Sequence, residues 1–288
     1  MKIWFLAIRP KTLSAAISPV ILGCALAYHD GSFHLLICFM TLLAAVLIQI
    51  GANFANDVFD FEKGSDREDR LGPTRLTQSG LISAAKMKKA MWIAFALAIC
   101  VGFYLALIGG WPIVIIGLAS IAAGIAYTGG PYPLGYHGFG DVFVFIFFGL
   151  IAVPGTYYLQ SGTINELSLY MGVVIGMLST AILVVNNLRD KDTDKLSGKK
   201  TLAVRFGNKF SKIEYGTLML IPFLLPLYIW WNIENELSIL ITTFTLPISF
   251  HLITQVFSQT GSDLNLVLAK TARFLFIFTV LLSAGLIF

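Results

Sequence analysis

Charge is what this sequence of 288 residues has least of. Lys, Arg, Asp and Glu make up 12%, where an ordinary soluble domain carries about a quarter. Between Asp30 and Asp57 none of the four occurs. With 57% hydrophobic residues and a mean hydropathy of +0.79, such stretches are too apolar for a water-facing fold, which leaves an integral membrane protein.

Cysteine and histidine are also scarce. Cys24, Cys38 and Cys100 each stand alone in an apolar run, so no disulfide framework or zinc site is indicated; they read as small packing residues. His29, His34, His137 and His251 form no ligand spacing and receive no catalytic role.

What is present in quantity is apolar length. About 20 residues of helix cross the ~30 Å hydrocarbon core, and runs near 13–28, 35–57, 87–108, 111–127, 141–159, 167–187, 214–231, 237–257 and 271–288 reach or approach it. They predict an all-α membrane protein of nine transmembrane helices in one domain, 1–288. The opening "MKIWFLAIRPKTL" has no clean cleavage site after it, so it is expected as a short interfacial helix rather than a removed signal.

The basic residues are ordered. All twenty Lys and Arg lie before helix 1, in 63–89, in 189–212, or at Lys270 and Arg273. Loops 1–2, 3–4, 5–6 and 7–8 hold none. The positive-inside rule then places the N-terminus and the charged loops in the cytoplasm and the C-terminus outside a cell membrane.

Two of the cytoplasmic loops, 58–86 and 188–213, share a spacing. Asn53, Asn56, Asp60 and Gly64 stand at offsets 0, 3, 7 and 11, as do Asn187, Asp190, Asp194 and Gly198. At about 100° per residue the first three of each set form a polar stripe on one helix face, extended in the first set by Asp57 and Gln49. The stripes end helices 2 and 6, as expected of two four-helix parallel repeats, about 10–130 and 131–257, followed by a final helix.

Ionisable groups at a membrane span are costly unless paired or facing a watery cavity, so they mark function. Carboxylates gathered on one face suit a hard divalent cation, and Mg²⁺ in particular takes one or two carboxylates and bridges to phosphates. Arg189 adjoins Asp190; Lys199, Lys200 and Arg205 follow the second stripe, and Lys63, Arg70 and Arg75 flank the first. Together they indicate two metal–diphosphate half-sites above apolar helices, for a ligand with a charged head and a long apolar tail. A transporter, the rival class, places its ion site near the bilayer midplane on broken helices, not at helix ends.

The segments "NFANDVFDFEKGSDREDRLGPTRLTQSGLIS" and "NNLRDKDTDKLSGKKTLAVRFG" resemble the two aspartate-rich motifs of UbiA-type intramembrane prenyltransferases. "RPKTL", "KGSD", "RLGPTRLTQSG", "YTGGPYPLGYHGFGD" and "NNLRDKDTDKLSGKKTL" are similar to the branch acting on 1,4-dihydroxy-2-naphthoate in menaquinone synthesis.

The resemblance implies transfer of a polyprenyl group from polyprenyl diphosphate to 1,4-dihydroxy-2-naphthoate with loss of CO₂. It implies Mg²⁺ as cofactor, membrane lipid as surroundings and no nucleic acid. It assigns Asn56, Asp60 and Asp66 to one metal site, and Asp190 and Asp194, with Asn187 beside them, to the other. Arg9, Lys63, Arg70, Arg75, Gln78, Tyr127, Asn187, Arg189 and Lys200 are the implied diphosphate or acceptor contacts. Asp66 lies six residues after Asp60 rather than four, a wider spacing that this branch shares. Hydroxybenzoate-type relatives carry a Lys a turn after the Tyr that corresponds to Tyr127, where this chain has "TGGP". Another aromatic acceptor, 4-hydroxybenzoate or homogentisate, is the alternative.

Overall fold

The structure, a computed structural model, describes residues 2–66, 71–234 and 237–288. Every regular element among them is helical: α1 Lys2–Ile8, α2 Pro10–His29, α3 Leu35–Glu62, α4 Ala84–Gly109, α5 Trp111–Ala126, α6 Gly140–Val144, α7 Ala152–Ser161, α8 Glu166–Leu196, α9 Leu202–Ile229, α10 Leu246–Ser258 and α11 Leu264–Ile287. A π-helical stretch, Phe145–Ile151, fuses α6 and α7 into one span, and the 3-10 stretch Leu237–Thr245 leads into α10. Eight helical units are long and apolar enough to cross a membrane, and Trp111–Ala126 is a shorter apolar helix in the expected place.

The short N-terminal helix is present, and its end has a local cause. Proline disfavours the helical conformation in the residue before it. Arg9, which precedes Pro10, adopts a left-handed conformation at φ 54°, ending α1 and letting Pro10 start α2 at a position where its missing N–H costs nothing.

The bundle packs around α8. Its Met171, Val174, Ile175 and Leu178 are buried in one apolar cluster with Leu22 and Leu26 of α2, Tyr215 and Met219 of α9, and Phe274 and Phe278 of α11. The last helix, α11, thus returns against the first span, α2. A second cluster joins α3 and α4 to the loop between them through Phe54, Val58, Leu76, Ile82, Met87 and Phe95.

Lipid supplies no hydrophobic drive between helices, so close approach depends on small residues. The π-helical stretch meets α8 at glycines: a Cβ on Gly149 would lie 2.4 Å from the Gly172 carbonyl oxygen and 2.6 Å from the Gly176 Cα.

Two cysteines are less isolated than their spacing suggested. Near the ends of α2 and α3 that join in a hairpin, the Cys24 and Cys38 thiols lie close enough to interact. Gln160 Nε2 donates to Cys24 Sγ at 3.7 Å.

Candidate functional site

Both polar stripes are helical, as their spacing required, because α3 and α8 continue past the expected apolar ends at 57 and 187 to Glu62 and Leu196. They also end in the same way. Gly64 and Gly198 are left-handed, at φ 66° and 77°. The N–H of the residue after each glycine bonds back to the carbonyl of the motif's last aspartate: Ser65 to Asp60 at 3.0 Å and Lys199 to Asp194 at 2.9 Å. This is the six-to-one cap that a glycine permits at the end of a helix. It explains why glycine follows each of these aspartates by four residues.

The stripes open onto a chamber of about 590 Å³, within the usual range for small-molecule sites, ~300–1,000 Å³. Along α3 its lining runs from Thr41 to Asp60, roughly 28 Å at 1.5 Å per residue, so it reaches nearly through a bilayer core. One end is polar, with Asn56, Asp60, Asp190 and Asp194; the depth is apolar, with Val20, Ile48 and Phe147. On the α4–α5 side, Ile99, Phe103, Val114 and Leu118 both line the chamber and are exposed.

Asp60 is the centre of the polar end, 1% exposed. Burying an ionised carboxylate is prohibitive without partners, and it has several. Arg75 Nη2 donates to it at 2.9 Å, the Tyr136 hydroxyl at 2.8 Å, and Lys199 Nζ approaches to 3.3 Å. Arg75 Nε also pairs with Asp66 at 3.2 Å, and Lys199 Nζ lies 3.8 Å from Asp194. One ammonium group therefore stands between the aspartates of the two motifs, which face each other.

Arg75 reaches Asp60 because Asp57 holds the intervening loop. The Asp57 carboxylate accepts the backbone N–H groups of Leu76 at 3.2 Å and Thr77 at 2.9 Å. Its neighbour on the stripe, Asn53, donates to the Ile8 carbonyl at 2.9 Å and to Thr12 Oγ1 at 3.0 Å, tying α3 to the start of α2. Asn56 accepts from Thr128 Oγ1 at 3.0 Å.

Among the residues expected to bind metal or substrate, Arg9, Asn56, Asp60, Asp66, Arg75, Tyr127, Asn187, Asp190 and Asp194 all line the chamber. Burial, with Asp141, Asp194 and Asp60 adding, pushes the Tyr127 phenol above its ordinary range, so it stays protonated.

The other expected residues, Arg70 aside, lie elsewhere in the structure. Arg189 turns away from the chamber: it forms a bidentate pair with Asp190 and donates to Asn186 at 2.8 Å and to Asn265 of α11 at 2.9 Å. Adjacent residues on a helix face different ways, so Arg189 lies off the chamber-facing stripe while its guanidinium reaches back to fix Asp190 in place. Lys200 is exposed and contributes its backbone, which donates to the Tyr136 carbonyl at 2.7 Å; the preceding residue, Lys199, reaches the carboxylates. Gln78 is absent from the chamber lining. Lys63 sits at the rim, its Nζ donating to the Gly130 carbonyl at 3.1 Å, with burial lowering its pKa. Arg70 lies outside the described residues.

Tyr136 and Ser65 were not expected. Ser65 Oγ is 2.5 Å from the Tyr136 hydroxyl and donates to the Asp60 carbonyl at 2.9 Å. Their only trace in the sequence is membership of "KGSD" and "YTGGPYPLGYHGFGD", since neither lies on a periodic face.

Among the described residues no three acidic, His or Cys side chains form a ready-made metal cage. The donors present are all oxygens, the right chemistry for Mg²⁺. Lys199 Nζ lies between Asp60 and Asp194, 3.3 and 3.8 Å from their carboxylates.

Fold and site together define a multi-pass helical membrane protein that presents an acidic polar cap, bridged by Lys199, over an apolar chamber. The chain belongs to the UbiA prenyltransferase family, whose model matches residues 16–278. It is 35% identical, over 100% of this chain and 96% of the relative, to the 1,4-dihydroxy-2-naphthoate octaprenyltransferase of Haemophilus influenzae. It is 40% identical to the enzyme of that name from Escherichia coli K12, over 75% of this chain and 72% of the relative. Its fold matches a UbiA homologue from Archaeoglobus fulgidus, solved with DMAPP and Mg²⁺, at a TM-score of 0.71 and 17% identity, covering 99% of this chain and 98% of that one.

Proposed function

We propose that this protein transfers a polyprenyl group from polyprenyl diphosphate to 1,4-dihydroxy-2-naphthoate with decarboxylation, the prenylation step of menaquinone biosynthesis. The carrying observation is the chamber: its polar end joins both aspartate motifs through Lys199, and its apolar depth is long enough to take an isoprenoid tail. Identity of 35% to a relative of that name, along the whole chain, supports this acceptor.

Asn56, Asp60 and Asp66 on one side, and Asp190 and Asp194 with Asn187 on the other, would hold Mg²⁺. Bound there, the metal would neutralise diphosphate charge. Arg75 and Lys199 stand beside those carboxylates and stabilise the negative charge that grows on the departing diphosphate. The allylic C–O bond breaks with its electron pair going to diphosphate. The ring carbon of the acceptor bonds to the allylic carbon, and the ring–carboxylate bond breaks to release CO₂. The apolar walls exclude water that would otherwise quench the allylic cation, and Arg9 at the chamber mouth offers a cation to the acceptor carboxylate.

In the cell membrane, the N-terminus and the two motif loops are cytoplasmic and the C-terminus is outside, supported by the clustering of basic residues. The matching helix caps after Asp60 and Asp194 support two repeat-like halves, about 10–130 and 131–257, followed by α11.

The test incubates membranes containing the protein with Mg²⁺, polyprenyl diphosphate and each candidate aromatic acid, and identifies products by mass. Prenylated naphthoquinol lacking the carboxyl group is expected. Prenylated 4-hydroxybenzoate that keeps its carboxylate would overturn the acceptor assignment.

A further inference from the structure

Tyr136 stands where the two motifs meet, on the loop between α5 and α6. Its hydroxyl donates to Asp60 of α3 at 2.8 Å. Its carbonyl accepts the N–H of Lys200, just after α8, at 2.7 Å. Arg205 strengthens the same junction by donating to the carbonyls of His137 at 2.8 Å and Lys200 at 3.0 Å. The loop is thereby fastened to both halves of the site.

The ring carries the more telling contacts. Lys63 Nζ lies 5.1 Å and Lys199 Nζ 4.8 Å from its centroid, both inside the ~6 Å reach of a cation–π interaction. These two lysines come from different motifs and repel each other; the Asp60 carboxylate, 3.3 Å from Lys199 Nζ, offsets part of that repulsion, and the electron-rich ring between them offsets more. Interfacial anchoring, the ordinary reason for a tyrosine at a membrane edge, does not account for a ring that lines the chamber and holds two cations.

We propose that Tyr136 is a positioning residue for the prenyl diphosphate: its ring gathers the Lys63 and Lys199 ammonium groups at the chamber mouth, where the diphosphate binds. This rests on the reading of the site as one for prenyl diphosphate. The backbone bond from Lys200, which a change of side chain leaves intact, sets where the ring lies, and the hydroxyl on Asp60 adds to it. The ring therefore governs diphosphate affinity and leaves acceptor affinity alone.

The experiment measures binding of inorganic diphosphate with Mg²⁺ to the purified full chain in detergent, beside steady-state turnover. Tyr136→Phe, which keeps the ring, should bind diphosphate within about threefold of the parent. Tyr136→Leu should bind about five- to thirtyfold more weakly, the usual worth of two such contacts, with the KM for polyprenyl diphosphate rising in parallel and the KM for the acceptor unchanged. In a Lys63→Met, Lys199→Met background, Tyr136→Leu should add less than about twofold, which separates an action through the lysines from a general loss of folding. Equal weakening by Phe and Leu, no weakening by Leu, or full weakening without the lysines would each overturn the proposal. A parent protein that binds diphosphate and shows this series but turns over no aromatic acid would support the role of Tyr136 and sink the assigned reaction.

Discussion

Asp57→Ala should loosen the loop that carries Arg75. The Asp57 carboxylate is 3% exposed and accepts the N–H groups of Leu76 and Thr77 at 3.2 and 2.9 Å. A hydrogen bond to a charged acceptor is worth about 1.5–3 kcal/mol, and a buried donor left unsatisfied costs about 1–3 kcal/mol. These describe the same loss from two sides, so the two bonds together stabilise the loop by about 2–4 kcal/mol once water is allowed to reach the freed amides. Local opening should become about thirty- to seven-hundredfold more frequent. Hydrogen exchange followed by mass spectrometry, in detergent or lipid discs, reads this on peptides spanning 71–83. Asp57→Asn retains one acceptor oxygen and should fall between the parent and Ala. Because Arg75 bridges Asp60 and Asp66 at 2.9 and 3.2 Å, the KM for polyprenyl diphosphate should rise as the loop loosens. Unchanged exchange over 71–83 would refute Asp57 as the loop's anchor, and lost turnover with unchanged exchange would move it into the chemistry.

Asp60→Ala or Asp190→Ala should abolish turnover while the protein still inserts in the membrane; near-normal rates in either would remove it from the metal site. Lys199→Met should raise the KM for polyprenyl diphosphate severalfold, consistent with the strength of charge-assisted contacts, whereas Lys200→Met should leave it unchanged because that ammonium group is outside the chamber; the reverse ranking would contradict the geometry. Gly149→Leu should lower the unfolding temperature sharply, since its Cβ would meet the Gly172 carbonyl oxygen at 2.4 Å and overpacking costs about 1–3 kcal/mol or more; an unchanged thermal midpoint would show that the π-helical stretch can move aside.

Local rules carried far in this chain. Apolar length alone located the spans, because each must satisfy its own backbone within lipid as a helix. The offsets of Asn53, Asn56, Asp60 and Gly64, repeated from Asn187, foretold two helical stripes, and both glycines cap their helices left-handed as that spacing requires. These features depend on contacts within a few residues, so period and residue type suffice to specify them.

Partners distant along the chain followed no such rule. Asp57 extends the polar stripe in sequence, yet its carboxylate meets the amides at 76 and 77 and lies 3.8 Å from the Arg9 guanidinium. Arg189 adjoins Asp190 in the stripe of α8, yet it reaches Asn265 on α11. Lys199 and Lys200 are indistinguishable by type and nearly so by position; the cap at Gly198 turns one toward the carboxylates and leaves the other exposed. Tyr136 gains its place only when the α5–α6 loop folds over both motifs. The sequence by itself determined the membrane helices, the two acidic stripes and their caps, since each rests on neighbouring residues; which charge pairs with which was decided by how the loops dock, and docking depends on the assembled bundle.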